Sequence, residues 1–441
     1  MPRFASAARV VASASALVCA SPLAHAANPS VSAAVSVNSG DTAWLLTATA
    51  LVLSMTLPGL VAFYSGLVRS KNVLSIAMQC FAITCLVSVL WLAGGYGLAF
   101  GNGGGHQALI GSVHGGWFGA IGRNALRGDT PESAFVMFQL TFAIITPALM
   151  IGGFAERMKF SAMLWFAGLW LIFVYLPVAH WVWGGGWLAR LGVLDFAGGI
   201  VVHVSAGIGA LVSALVLRER KGFPHTAMPP HNMSLTILGA GMLWVGWFGF
   251  NGGSALAANG SAAMAILVTQ LGAATGALAW MALEWVKFGK PSVLGIVTGM
   301  VAGLGTITPA SGFVGPLGAI IIGVTAGVVC FAATQFLKRR LHIDDSLDVS
   351  PVHGVGGVIG TVLTGVFMAS RFGGVGYAPG MHMLRQVGTQ ALGVAAVALW
   401  CALATYLILQ LLKATIGLRV SEDQEREGLD LSQHGEHAYN G

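Results

Sequence analysis

Eleven long apolar segments constrain this chain more than any other feature of its sequence. Each has about the 18–25 consecutive apolar residues that a helix needs to cross the hydrocarbon core of a bilayer. They begin near Thr42, Asn72, Glu132, Phe160, Gly198, Met233, Ser261, Ser292, Phe313, Val349 and Arg385. Only 9% of the 441 residues are charged, whereas a soluble domain carries about 25%. The sequence therefore predicts an all-α polytopic membrane protein with eleven transmembrane helices.

The basic residues between these segments predict the orientation of the chain. Cytoplasmic connections of membrane proteins carry an excess of Lys and Arg. Alternate connections hold Arg69, Lys71, Arg157, Lys159, Arg218, Arg220, Lys221, Lys287, Lys290, Lys338, Arg339 and Arg340. The other connections hold only Arg123, Arg127, Arg190, Arg371 and Arg385. The first set is predicted to be cytoplasmic, with the mature N-terminus outside the cytoplasm and the C-terminus cytoplasmic. No segment combines clustered basic residues with exposed aromatics, so nucleic-acid binding is not expected.

The two ends of the chain differ in composition from the apolar part. Residues 1–26 have a basic start, a modest apolar stretch and a cleavage site of the A-x-A type, which predict a signal peptide. Residues 27–416 form the predicted membrane domain. The tail, residues 417–441, carries six acidic residues and is predicted to be a solvated cytoplasmic segment.

A short pattern occurs twice and predicts an internal repeat. Asp195-x7-His203-x3-Gly207 recurs 150 residues later as Asp345-x7-His353-x3-Gly357. The two copies begin the fifth and tenth predicted helices, so each repeat has five helices and the second enters the membrane from the opposite side. Such inverted repeats are common in transporters, with functional residues at the repeat interface. We predict repeats over roughly 42–217 and 233–369, followed by a last helix over 385–413.

The repeated histidines are candidate pathway residues. Ionisable groups inside membrane helices are costly and usually face a bundle interior or a pathway. A neutral imidazole has one donor and one acceptor nitrogen, so His203 and His353 can bond each other and still offer polar edges to a passing molecule. A haem or metal site is the competing use of paired histidines, but the apolar segments supply no further ligands. The five cysteines include no CxxC pair, and no cofactor is predicted.

Several ordered motifs give the sequence a close resemblance to a known family. The matching segments are Pro58-Gly59, Phe63 to Gly66, Arg69 to Asn72, Ala155-Glu156-Arg157, Ala179-His180, Trp183 to Gly186, Asp195 to Gly199, Val201 to His203, Gly246 to Asn251, Thr308 to Ala310, Val352 to Gly354, Gly417 to Val420 and Glu425 to Asp430. Together they resemble the ammonium transporter (Amt/Mep/Rh) family, bacterial Amt type, over nearly the whole mature chain. This resemblance implies a bacterial inner membrane, with the mature N-terminus periplasmic.

The resemblance implies specific residue roles and partners. It implies a homotrimer with one conduction path in each protomer and an ammonium recruitment site at Phe138, Trp183 and Ser254, with Asp195 as a buried carboxylate nearby. The implied gate is Phe142 and Phe250, and the implied pore lining is His203, His353, Trp247 and Thr308. The tail resembles the segment that packs against a neighbouring protomer, at a face that a PII-type (GlnK-like) regulatory protein plugs in bacterial members.

The expected mechanism starts from the likeness of ammonium to potassium in charge and size. Ammonium differs by its N–H donors and its removable proton, so we expect it to be deprotonated and conducted as ammonia. The proton either returns outward or crosses separately. Alternatives are an ammonium sensor that signals through a PII protein, and an Rh-like channel for a neutral gas. A membrane enzyme is disfavoured because no nucleophile or metal-ligand set accompanies the histidines.

Overall fold

The computed structural model describes residues 36–113 and 121–439, and the predicted signal peptide lies outside them. Within these ranges eleven helices are long and apolar enough to cross a membrane. They are α1 Ser39–Leu67, α2 Ser70–Phe100, α3 Glu132–Phe154, α4 Phe160–Arg190, α5 Gly199–Leu217, α6 Met233–Gly252, α7 Gly260–Phe288, α8 Val293–Ala310, α9 Pro316–Arg339, α10 Ser350–Phe367 and α11 Met383–Thr415. Each starts within three residues of its predicted position. The predicted eleven-helix fold is confirmed.

Several of these helices are interrupted, which hydropathy alone does not reveal. In α1, Leu57 has φ −124° and ψ 103°, directly before Pro58, because the proline ring disfavours helical geometry at the preceding residue. In α2, Gly94 has φ 145°, a conformation that a side chain rarely permits. A turn at Trp183–Gly186 breaks α4 before its last short turn, Trp187–Arg190. These breaks interrupt regular helical geometry inside segments that hydropathy marks as continuous.

Close glycine contacts bring α5 and α10 together. A Cβ atom on Gly207 would lie 2.2 Å from the Cα atom of Gly354, and one on Gly357 would lie 2.8 Å from the carbonyl oxygen of Gly199. Small residues let membrane helices approach at backbone distance. The two copies of the repeated pattern therefore meet in the interior. Their inverted relation, and the proposed repeat boundaries, stay predictions.

The described parts of the connection between α2 and α3, residues 101–113 and 121–131, fold over one face of the bundle, which we call the loop face. This connection includes a short β-hairpin with two residues in each strand, β1 Leu126–Arg127 paired antiparallel with β2 Thr130–Pro131. The His180 ring ties this connection down, because its two nitrogens lie 2.9 Å from the carbonyl oxygens of Ala99 and Gln107.

The tail covers the opposite face, which we call the tail face. It contains a short helix, α12 Glu422–Glu427, started by a capping box between Ser421 and Gln424. Glu425 accepts a hydrogen bond from the backbone of Lys221, and Asp430 accepts one from Ser75. The tail lies outside the eleven long helices, and its predicted cytoplasmic location stays a prediction. These contacts lie within one chain, whereas the resemblance implied contacts with a neighbouring protomer.

Candidate conduction pathway

A vestibule of about 320 Å³ opens on the loop face. Three of the residues singled out from the sequence, Phe142, Trp183 and Ser254, line it. Its other lining residues are Phe100, Arg127, Phe135, Gln139, Val182, Phe196 and Leu256. Its walls therefore combine aromatic faces with a few polar groups and one basic residue.

Trp183 and Ser254 are held by hydrogen bonds to backbone carbonyl groups. The Trp183 indole N–H donates to the carbonyl oxygen of Asp195 at 2.8 Å, which fixes the ring in the vestibule wall. The Ser254 hydroxyl donates to the carbonyl oxygen of Phe250 at 2.8 Å. Since its proton is used in that bond, the Ser254 oxygen is left as an acceptor for a ligand.

Asp195 is a cap for the start of α5. Its carboxylate accepts four backbone N–H groups, from Gly198, Gly199, Ile200 and Val201, at 2.6–3.0 Å. The side chain is buried and does not line the vestibule. The resemblance implied a buried carboxylate near the recruitment site, and the carbonyl bond to Trp183 links this cap to the vestibule wall.

Asp345, the equivalent residue of the second pattern, is bonded more sparsely. One of its carboxylate oxygens accepts the backbone N–H of Ser350 at 2.6 Å, and the other oxygen has no protein partner. Burial, together with the nearby Asp348 carboxylate, raises the pKa of Asp345 to about 6. The two copies of the pattern therefore share a position but differ in how their carboxylates are stabilised.

Two phenylalanine rings close the inner end of the vestibule. The ring centroids of Phe142 and Phe250 are 4.4 Å apart, so the rings are in contact. Phe142 also meets Trp183 edge-on at 5.8 Å. Phe138 is fully buried behind Phe142, with ring centroids 5.1 Å apart, and does not line the vestibule. Phe142 thus belongs both to the vestibule and to the constriction.

His203 and His353 lie beyond this constriction, side by side. Their Nδ1 atoms are 3.2 Å apart, which is hydrogen-bonding distance, and their rings are nearly parallel at 16°. One Nδ1 therefore donates to the other, and either imidazole can carry that proton. Both residues lie in π-helical turns, Gly199–Val204 and Ser350–Val355, a geometry often found at functional sites.

The passage beside the histidines is narrow and mostly apolar. A cavity of only about 10 Å³ lies there, lined by His203, His353, Trp247, Phe250 and neighbouring aliphatic residues. That is about the space needed for one water-sized molecule. The Nε2 atom of His203 is buried without a protein partner. Trp247 stacks on His203 at 5.5 Å and donates its N–H to the Thr308 hydroxyl at 2.8 Å, so Thr308 orients the tryptophan without lining this cavity.

A third cavity, of about 310 Å³, continues from His353 to the tail face. Phe63, Tyr64 and Val301 line both this cavity and the narrow one, so the two are adjacent. Its polar lining includes Glu284, Thr334, Gln335, Lys338 and Asp348. The three cavities follow one another from face to face, with the phenylalanine pair and the histidine pair between them.

A cluster of buried ion pairs, which the sequence alone did not predict, lies at the tail face. Arg220 bonds both Glu156 and Asp344 at 2.8 Å, and Arg69 bonds Glu156 at 2.9 Å. Burial alone would raise the pKa of Glu156, but the guanidinium groups of Arg220 and Arg69 outweigh it and lower the pKa to about 2. Glu156 and Arg157 belong to a motif quoted above. Arg220 and Asp344 carry no local signal, because only the fold brings them together.

An eleven-helix bundle with a chain of cavities between its two faces has the architecture of a membrane transport protein. The model of the Ammonium Transporter Family matches residues 43–439, and the chain belongs to that family. An ammonium transporter of Aquifex aeolicus is 49% identical over 410 residues, covering 92% of this chain and 94% of that protein. An ammonium transporter of Bacillus subtilis is 45% identical over 406 residues, covering 91% and 98%.

Solved structures agree with this assignment. A structure described as a Sensor Amt Protein superposes with a TM-score of 0.83 at 32% identity, covering 90% of this chain and 98% of its own. Candida albicans Mep2 superposes with a TM-score of 0.80 at 35% identity, covering 91% of each chain. The protein is therefore a multi-pass membrane protein of a transport family.

Proposed function

We propose that this chain imports ammonium by recruiting the ion in the loop-face vestibule and conducting it as ammonia past the histidine pair. The observation that carries the proposal is the narrow passage beside His203 and His353, shut off from the vestibule by two phenylalanine rings in contact. Such a passage has no room for a hydrated ion.

Energetics favour deprotonation at this constriction. The idealised free-energy cost of moving a bare ion of this size from water into an apolar interior is about 20 kcal/mol. An apolar site lowers the pKa of a comparable buried amine by about 3–5 units. Releasing the proton instead of burying the charge therefore corresponds to about 4–7 kcal/mol. Ammonium can follow the second route, whereas potassium and sodium have no proton to release. The passage thereby selects for ammonium.

The vestibule supplies the recruitment site. The π-face of Trp183 attracts a cation by about 0.5–2 kcal/mol, and the free lone pairs of Ser254 accept an N–H bond. Phe142 offers the second aromatic face, and Phe138, which the resemblance implied for this role, supports Phe142 from behind. A channel for a neutral gas would have no use for such a site, which disfavours the Rh-like alternative.

The histidines then hand the neutral molecule along. Ammonia donates to or accepts from the free imidazole edges, and it leaves through the tail-face cavity. We propose that the released proton crosses separately by way of the histidine pair, so that transport carries net charge.

Currents from the purified protein in proteoliposomes test this proposal. Ammonium and methylammonium should give currents and potassium should give none. His203→Ala and His353→Ala should either admit potassium or abolish methylammonium uptake. Uptake without current would show that the proton returns outward, and full rate and selectivity in both variants would refute the role of the histidines.

A sensor is the second candidate, favoured by the likeness to the structure described as a Sensor Amt Protein. A sensor would bind ammonium with little flux and would report it through a PII-type partner. Absence of both uptake and current in wild-type proteoliposomes, with ammonium binding retained, would select this alternative.

The tail face is proposed to be cytoplasmic. Its cluster of basic residues, including Arg69, Arg157 and Arg220, agrees with the positive-inside rule. A fluorescent reporter fused after residue 441 should therefore fold and emit in an inner-membrane host, and a fused alkaline phosphatase should stay inactive.

A further inference from the structure

A basic side chain shares the vestibule with the proposed cation site. Arg127, from β1, lines the same cavity as Trp183 and Ser254. Its guanidinium carbon lies 4.0 Å from the ring centroid of Phe135 and 5.4 Å from that of Phe100. Among residues 36–113 and 121–439, none of the ion pairs includes Arg127. The vestibule therefore holds a positive charge that no contacting carboxylate neutralises in this part of the chain.

The position of this charge is fixed by the fold. Arg127 pairs with Thr130 in the hairpin, and the turn between them uses Gly128 at φ 64°. One guanidinium N–H donates to the Tyr96 hydroxyl at 3.1 Å, and that hydroxyl donates to the Glu132 carboxylate at 2.8 Å. Glu132 therefore offsets the charge from a distance, through a neutral phenol, rather than by direct contact.

The guanidinium also occupies aromatic surface that could otherwise attract a cation. Phe100 and Phe135 meet edge-on at 5.2 Å, and Arg127 lies over Phe135 within the range of a cation–π interaction. With that face covered, Trp183, Phe142 and Phe196 are left as the other aromatic residues that line the vestibule. Asp195, the nearest carboxylate to Trp183 along the chain, is directed at backbone N–H groups.

We propose that Arg127 lowers the affinity of the vestibule for ammonium and so sets the concentration range over which the transporter responds. The proposal rests on the proposed function, because it concerns recruitment of the charged ion. A fixed cation repels ammonium and leaves neutral ammonia unaffected. In the sequence, Arg127 is only one of five basic residues in the connections that are not predicted to be cytoplasmic. The fold places it in the vestibule lining.

The size of the effect follows from the size of the vestibule. A roughly spherical cavity of 320 Å³ is about 8–9 Å across. Two unit charges about 8 Å apart, at an effective dielectric constant between about 20 and 80, change a binding constant by about 2- to 30-fold. Glu132 and mobile ions reduce this, so we expect about 2- to 10-fold.

Methylammonium uptake by proteoliposomes tests the proposal through variants that separate charge from shape. Arg127→Gln should lower KM about 2- to 10-fold with the maximal rate unchanged, and Arg127→Lys, which keeps the charge, should stay near wild type. Arg123→Gln is the matched control, because it removes the same charge from an exposed position of the same connection, away from the vestibule lining. The KM ratio between wild type and Arg127→Gln should shrink as ionic strength rises, because the Debye length falls to about 3 Å at 1 M salt.

These measurements can refute the role of Arg127 separately from the proposed function. An unchanged KM in Arg127→Gln, or the same KM shift in Arg127→Lys as in Arg127→Gln, would overturn the proposal while leaving ammonium transport in place. An unchanged ratio at high salt would also overturn it. Absence of saturable uptake in the wild type would instead refute the proposed function. Normal thermal unfolding of each purified variant confirms that the comparison is between folded proteins.

Discussion

At the scale of single residues, the pathway depends on side chains whose polar atoms are already committed. Trp183, Ser254 and Asp195 each bond the backbone, so what they present to a ligand is an aromatic face, a lone pair and no free charge. A site of this kind binds a cation weakly, which suits a transporter that must release its substrate inward.

Replacing Trp183 by Leu should weaken recruitment without unfolding the protein. Loss of about 0.5–2 kcal/mol of cation–π attraction corresponds to an increase in KM for methylammonium of about 2- to 30-fold. Trp165→Leu is the control, because Trp165 is 61% exposed on the outside of the bundle. An unchanged KM in Trp183→Leu would place recruitment elsewhere.

Glu156 illustrates the opposite case, a buried charge used for stability. Its pKa is lowered from 4.5 to about 2, so its contribution is present in full above pH 4.5 and is lost as the pH falls towards 2. The shift corresponds to about 3 kcal/mol. Wild-type protein in detergent should therefore lose thermal stability below pH 4.5.

Glu156→Gln should be much less stable than the wild type at pH 7, because it removes the charged partner of Arg69 and one of the two carboxylate partners of Arg220. Its unfolding temperature should also depend less on pH between 5 and 3. Glu422→Gln removes an exposed partner of Lys221 and should change little. Equal unfolding temperatures for the two variants would contradict this account.

At the scale of elements, the contact between α5 and α10 sets the distance between the histidines. The glycine contact lies four residues after His203 and one residue after His353, and it holds the two π-helical turns against each other. The spacing of the imidazoles is therefore a property of helix packing as well as of the histidines themselves.

Gly207→Ala should disrupt the pathway without touching any pathway side chain. Its Cβ atom would meet the backbone of Gly354 at 2.2 Å, and forcing helices apart costs about 1–3 kcal/mol or more. We expect methylammonium uptake to fall more than about tenfold. Gly241→Ala, where a Cβ meets nothing within 4 Å, is the control, and retained uptake in Gly207→Ala would show that the spacing is not critical.

Hydropathy and the repeated pattern predicted the helices and the histidine pair, because both are local properties of the sequence. The helix breaks, the docking of the tail and the place of Phe138 behind Phe142 are decided by packing between distant segments. The same holds for Arg220 and Asp344, which are 124 residues apart. Arg127 shows most clearly what the sequence could not predict. Its charge is evident from the sequence, but its position in the vestibule depends on how the chain folds.

At the scale of the whole molecule, we expect three chains to assemble, as the resemblance implies. Native mass spectrometry after extraction in a mild detergent should give a mass about three times that of a single chain. A stable monomer with full uptake would contradict this expectation.

We also propose that the tail face, which the tail covers, binds the PII-type partner that the resemblance implies. Such a protein should co-purify with wild-type membranes after an ammonium shock. Deletion of residues 418–441 should reduce its recovery. Its absence under every nitrogen regime would contradict the proposal.

The ion cluster at the tail face has a consequence for motion. Arg220 clamps Glu156, which follows α3, to Asp344, which precedes α10, and Arg157 adds bonds to the Asp344 carbonyl and the Ser346 hydroxyl. A carrier that rocked one half of the bundle against the other would have to break these buried ion pairs in every transport cycle. We therefore expect the segments joined by this cluster to stay fixed during transport, so that the rate depends on the movement of the small molecule through the pathway rather than on a large conformational change of the protein.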